Sequence, residues 1–108
     1  MKEIVRVANA LWMLRKWMSE NDIPKRVKIK KAMLEMETFL NSNNVDVIDL
    51  TGKVYDLGMN CQIMNEAFDA DKEEQIIVEM IQPMVYQDGK IIQYGKALVE
   101  EDDDEEEV

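Results

Sequence analysis

The sequence predicts an α+β protein, an N-terminal helical hairpin followed by a small β-domain, and three observations carry that prediction. Apolar residues recur every three or four positions as far as about residue 41. Beyond Asn44 the apolar period changes to two. Asp88-Gly89 then stands between two runs of alternating apolar residues, the strongest hairpin signal in the chain.

The first helix spans residues 3–18. Ile4, Val7, Leu11, Leu14 and Met18 fall on one stripe, which Val5, Ala8 and Trp12 widen on one side. Trp17 lies away from that seam, where its ring packs on a neighbour or marks a contact surface. Asn21 and Asp22 break the helix, and Pro24 opens a second one because its missing amide hydrogen is not needed there. That helix runs to about Asn41, with Ile29, Ala32, Met33, Met36, Phe39 and Leu40 at helical spacing. Asn41 to Asn44 holds no good helix former and ends it. A short loop between two amphipathic helices makes an antiparallel pair.

Val45, Val47, Ile48 and Leu50 begin the extended half. Met59, Cys61 and Ile63 alternate with Asn60, Gln62 and Met64, as a half-buried strand should. Glu66 to Glu74 reads as an acidic loop. Ile76 to Tyr86 reads as one strand, and Pro83 inside it requires an edge position or a bulge, since proline cannot donate to a ladder. Lys90 to Val99 returns as its partner. Met33, Met36, Met59 and Met64 are expected to fill gaps in the core, and Met80 and Met84 share a strand face with Val78. The expected organisation is residues 1–44 helical, 45–99 β, and 100–108 a disordered acidic tail.

The formal charge is −10, but Glu100 to Glu107 are eight consecutive acids, so the rest of the chain carries only −2. Such a run stays solvated because it has nothing to bury. Lys25, Arg26, Lys28, Lys30 and Lys31 form a basic cluster at the start of the second helix. A slightly acidic body argues against nucleic acid as its target.

Catalytic chemistry finds little support. There is no histidine, which removes the commonest general base and metal ligand. Asp46 and Asp49 lie three apart, a spacing that points strand side chains to opposite faces. Asp69 and Asp71 lack the glycine and terminal glutamate of a calcium loop. No catalytic residue, metal or other cofactor is expected. Cys61, the single cysteine, excludes an internal disulfide, reads as a small buried apolar group, and fits a reducing compartment. No window is long and apolar enough to span a bilayer, and no cleavable leader is evident, so the expectation is a cytoplasmic protein with no membrane role.

One ordered set of motifs goes further. Val45-Asp46-Val47-Ile48-Asp49 is followed by Gly52, by Tyr55-Asp56 and by Ile63. The chain closes with Gly89-Lys90-Ile91-Ile92-Gln93-Tyr94-Gly95-Lys96-Ala97-Leu98-Val99. Over residues 33–99 this order and spacing resembles the GrpE family, the nucleotide exchange factors of DnaK-type chaperones. That family carries a valine, an acid, an isoleucine, a glycine and a Phe-Asp pair after its helix, then a hairpin reading roughly Gly-Arg-Val-Leu-Arg-Pro-Ala. Here Gln93-Tyr94-Gly95 replaces Arg-Pro-Ala, Asn60 stands where the family has a histidine, and a short helical half replaces a long dimeric stalk.

The resemblance implies a non-enzymatic co-chaperone that binds a DnaK-like, actin-fold ATPase and wedges its nucleotide cleft open. Tyr86, Lys90, Gln93 and Tyr94, around the hairpin, are its expected partner contacts. Ile4, Val7, Leu11, Leu14 and Met18 are its expected dimer or helix-bundle contact, so a homodimer belongs to the same expectation. The alternative is an interaction or scaffold subunit of a multiprotein complex, without exchange activity.

Overall fold

A computed structural model of the chain describes residues 2–24, 26–66 and 74–100. Within them two helices precede six short strands, the α+β arrangement that the change of period indicates. The basic-cluster member Lys25, most of the acidic loop, including Asp69 and Asp71, and residues 101–108 of the tail lie outside the described residues.

Helix α1 covers Lys2–Glu20. It ends where Asp22 takes a left-handed φ of 57° and the Ile23 amide reaches back to the Met18 carbonyl at 3.0 Å. This closes the last turn in the Schellman manner, with Ile23 packed in the same cluster as Met18. Helix α2 covers Val27–Ser42, starting three residues after Pro24 rather than at it. Asn44, at φ 57°, turns the chain out of it. The pair Arg15–Glu37 bridges the helices, although both side chains are well exposed and so add little stability.

The strands are β1 (Val45–Ile48), β2 (Cys61–Ile63), β3 (Ile77–Gln82), β4 (Met84–Gln87), β5 (Lys90–Gln93) and β6 (Gly95–Val99). They form two three-stranded sheets, ordered β1-β4-β5 and β2-β6-β3. The first is antiparallel throughout, whereas β2 runs parallel to β6. Asn65 extends that parallel pairing with its side chain, donating to the Val99 carbonyl and accepting from the Val99 amide.

The expected single strand from Ile76 to Tyr86 is two strands in two sheets. Pro83, less than 2% exposed, is the switch between them. Tyr94 is the matching switch between β5 and β6. The long hairpin therefore continues past a corner, with one half in each sheet. Side-chain amides bond across it: Gln82 Nε2 donates to the Tyr94 carbonyl and Gln93 Nε2 to the Pro83 carbonyl, each at 2.9 Å. β3 does lie at an edge, and its register shifts twice against β6.

Two apolar clusters lie on opposite faces of the first sheet. Ala8, Leu11, Met18, Met33, Leu40, Val45 and Val85 fill the space between sheet and helices. Trp12, Leu50, Cys61, Ile77, Met80, Met84, Ala97 and Val99 fill the other. Central strand β4 serves both, because alternation sends Val85 to the helices and Met84 and Tyr86 to the second sheet. Burying a side chain such as Val85 or Ile77 contributes about 1.5–3 kcal/mol. The methionine expectation needs amendment. Met33 and Met80 are buried, but Met64 is 41% exposed, and the register shifts of β3 leave Val78 outward while Met80 turns in.

Candidate functional site

The hairpin of β4 and β5 has a tight turn at one end and the corner between the sheets at the other. Asp88 and Gly89 both have positive φ, 54° and 80°, which gives the tight turn whose twist matches two paired strands. Asn44 secures this turn from outside, since its carbonyl accepts from the Asp88 amide and its Nδ2 donates to the Asp88 carboxylate. Lys90 stands exposed just beyond the turn, and at the corner Tyr94 is 60% exposed. Ile81, 47% exposed, lies on the opposite strand of the same corner.

Directly behind Tyr94 the packing is tight. A Cβ at Gly95 would sit 2.9 Å from Met84 Cγ, 3.2 Å from Met80 Cε and 3.3 Å from Cys61 Sγ. Glycine lets β6 approach these buried groups and leaves Tyr94 projecting from a rigid support.

Tyr86 and Gln93 hold that support rather than face outward. Tyr86 Oη accepts from Asn60 Nδ2 at 3.0 Å. Gln93 exchanges two amide hydrogen bonds with Asn9 of α1, of 2.8 and 3.0 Å, besides its bond to Pro83. The four expected partner contacts thus divide into two exposed residues, Lys90 and Tyr94, and two anchored ones, Tyr86 and Gln93. The five α1 residues Ile4, Val7, Leu11, Leu14 and Met18 all pack in the helix–sheet cluster of their own chain. The opposite side of α1 leaves Met13 and Trp17 more than half exposed.

Further along α1, Trp12 Nε1 donates to Asp49 Oδ2 at 2.7 Å and Lys16 Nζ donates to the Met80 carbonyl at 2.7 Å. Lys16 also sits 5.1 Å from the Trp12 ring centroid and 3.3 Å from Glu79. Asn9, Trp12 and Lys16 therefore fasten one side of α1 to three different parts of the β half. Beside this seam lies an open cleft of about 640 Å³ lined by Leu11, Trp12, Leu40, Val47 and Met80 among others. Asp46 and Asp49 both line it, contrary to the opposite-face expectation. The reason is local: β1 ends at Ile48, so strand alternation no longer governs Asp49.

No family model, curated protein or solved structure matches the chain.

The chemistry of the side chains follows from these positions. Burial pushes the Asp49 carboxyl up, but hydrogen bonds from the Thr51 hydroxyl and amide and from Trp12, with Lys16 nearby, outweigh it and hold the group below its ordinary value. It is a charged anchor for an indole and a turn. Burial raises the Cys61 thiol, which favours the protonated form and opposes nucleophilic use. Burial also raises the Tyr55 hydroxyl, helped by Cys61 and Asp56. Among the described residues no three acids or cysteines gather in a way that could hold a metal. None of their helices is long and apolar enough to cross a membrane.

Proposed function

We propose that this chain is a GrpE-like co-chaperone that binds a DnaK-like, actin-fold ATPase and accelerates release of its nucleotide. The observation that carries the reading is where the resembling residues sit. Val45-Asp46-Val47-Ile48 and Lys90-Ile91-Ile92-Gln93 belong to the two outer strands of one sheet, and Ile63 and Ala97 are paired in the other. Motifs scattered over the sequence thus belong to one small two-sheet body. It presents Tyr94 at the corner and Lys90 at the other end of β5, beside the Asp88-Gly89 turn, while Gln93 braces the corner and Tyr86 is held by Asn60.

The mechanism is mechanical. A binder opens a cleft only if it prefers the open state, and a hundredfold shift requires about 2.8 kcal/mol of differential affinity. A stiff corner suits this, because a flexible one would follow the closing lobe. In this reading the protein acts in the cytoplasm, without a catalytic group of its own.

The test is release of a fluorescent nucleotide from DnaK-like ATPases mixed with the chain. Faster release that saturates with concentration supports exchange. Stable binding with unchanged release leaves the scaffold subunit, which the exposed Tyr94 and Ile81 would serve equally well.

A further inference from the structure

We propose that the cleft between α1, α2 and the strands is a docking groove for an extended, basic segment of a partner protein. It follows α1 for more than three turns, since Ala8, Leu11, Arg15 and Ser19, at helical spacing on one side of that helix, all line it and Glu20 ends the row. From Ala8 to Glu20 is about 18 Å of helix axis. A volume of about 640 Å³ spread over that length leaves a channel about 6 Å across, against roughly 10–12 Å for a helix with its side chains. The groove therefore admits one extended chain, and about five residues at roughly 3.3 Å each fill it. Its walls are already fixed. Arg15 pairs with Glu37 of α2, Lys16 pairs with Glu79 of β3, and Trp12 donates to Asp49 beyond β1. A groove held in this way loses little freedom on binding.

Charge selects the occupant. Five carboxylates line the cleft against two cations, Arg15 and Lys16, and both cations are engaged in the pairs just named. Asp49 receives Trp12 and Thr51. Glu20 and Asp46 are exposed, and among the described residues neither side chain has an ion pair or a hydrogen bond. Glu20 also lies in the last turn of α1, where no basic residue offsets the negative end of the helix. The floor is apolar, with Leu11, Leu40, Val47 and Met80. A segment that suits both properties alternates lysine or arginine with aliphatic residues, so that one set of side chains reaches the floor and the other the carboxylates. Neither Lys90 nor Tyr94 lines the groove, so it stands independently of nucleotide exchange.

The test titrates the full chain with a capped pentapeptide alternating valine and lysine and follows assigned resonances. The Trp12 indole N–H and the Asp46 and Val47 amides should shift and saturate at one peptide per chain. The peptide with glutamate for lysine should not bind. The one with glycine for valine should bind at least about tenfold more weakly, because its aliphatic side chains are gone. Glu20→Gln combined with Asp46→Asn should weaken binding about fivefold and leave the thermal midpoint within about 1 °C of the parent's. The groove is overturned by absence of a shift at those resonances up to about 1 mM peptide, by equal binding of the glycine peptide, or by unchanged affinity in the double variant. Peptide shifts confined to Glu100–Glu107 also overturn it and assign the attraction to the acidic run. Cleft shifts that arise with protein concentration alone overturn the partner segment in favour of a second copy.

Discussion

Trp12 and Asp49, 37 positions apart, meet through an indole N–H donating to a carboxylate oxygen at 2.7 Å. The bond ties the middle of α1 to the turn that leaves β1, and the ring itself lies in the cluster between the sheets. Trp12→Phe keeps an aromatic ring there but removes the donor and leaves a smaller ring in the buried cluster. Asp49 retains Thr51, so the carboxylate keeps hydrogen-bond partners. The expected cost is about 2–3 kcal/mol, read as a fall of about 10 °C or more in the unfolding midpoint.

The same carboxylate makes stability depend on pH in a definite direction. Asp49 is held below its ordinary value of 3.8, so the folded protein binds this proton less readily than the unfolded chain does. Its contribution is complete above the unfolded value and disappears as pH falls through the lower folded one. Asp49→Asn keeps a single acceptor oxygen where the carboxylate uses one for Thr51 and another for Trp12. The variant should be less stable near pH 6, and the gap should close as pH falls toward about 2. Urea unfolding midpoints at several pH values test this. A gap that widens in acid contradicts the assignment.

Gly95→Ala and Gly89→Ala should fail for different reasons. At Gly95 the new methyl meets Met84, Met80 and Cys61, while at Gly89 nothing lies within 4 Å and the obstacle is a φ of +80°. Each should cost about 1–2 kcal/mol. Only the first should respond to its neighbour: adding Met84→Ala should make Gly95→Ala cheaper than it is alone, whereas Gly89→Ala should be unaffected by the same change. A double-mutant cycle in urea measures this, and independent costs at Gly95 and Met84 would contradict the close approach.

Local signals made the elements legible, and long-range ones concealed the joints. The change from helical to alternating period reports α1, α2 and the β half directly, and Asp88-Gly89 marks its turn because both positions need positive φ. Pro83 was visible as an interruption. Whether it bends a strand or moves the chain to another sheet depends on Tyr94 opposite it, and no local pattern contains that information. The parallel pairing of β2 is similarly hidden, since three residues of alternation look alike in either direction. Met64 shows the reverse case: its parity with Asn60 and Gln62 points the side chain outward, and the general preference of methionine for the core does not hold there.

The seam on α1 is hardest to foresee. Asn9 and Gln93 are 84 positions apart, and each alone is an ordinary polar residue. Trp12 offered a clue, because a buried indole N–H needs an acceptor. By spacing alone, though, it only broadens the apolar stripe.

The division of the hairpin into exposed and anchored residues gives the sharpest functional prediction. Tyr94 is 60% exposed, so Tyr94→Ser should leave folding stability within about 0.5 kcal/mol of the parent. An aromatic ring on a stiff support is a strong anchor for a partner, and under the proposed function its removal should weaken binding to a DnaK-like ATPase about tenfold or more. Gln93→Ala should show a different pattern. It strips Asn9 of both bonds and frees the Pro83 carbonyl, so stability should fall by about 1–2 kcal/mol. Its effect on binding should follow from loosening of the corner and diminish when measured at lower temperature, where the folded arrangement is better populated. Titration calorimetry beside thermal unfolding separates the two. If Tyr94→Ser binds as tightly as the parent while Gln93→Ala does not, the partner contacts another face and the corner serves only the fold.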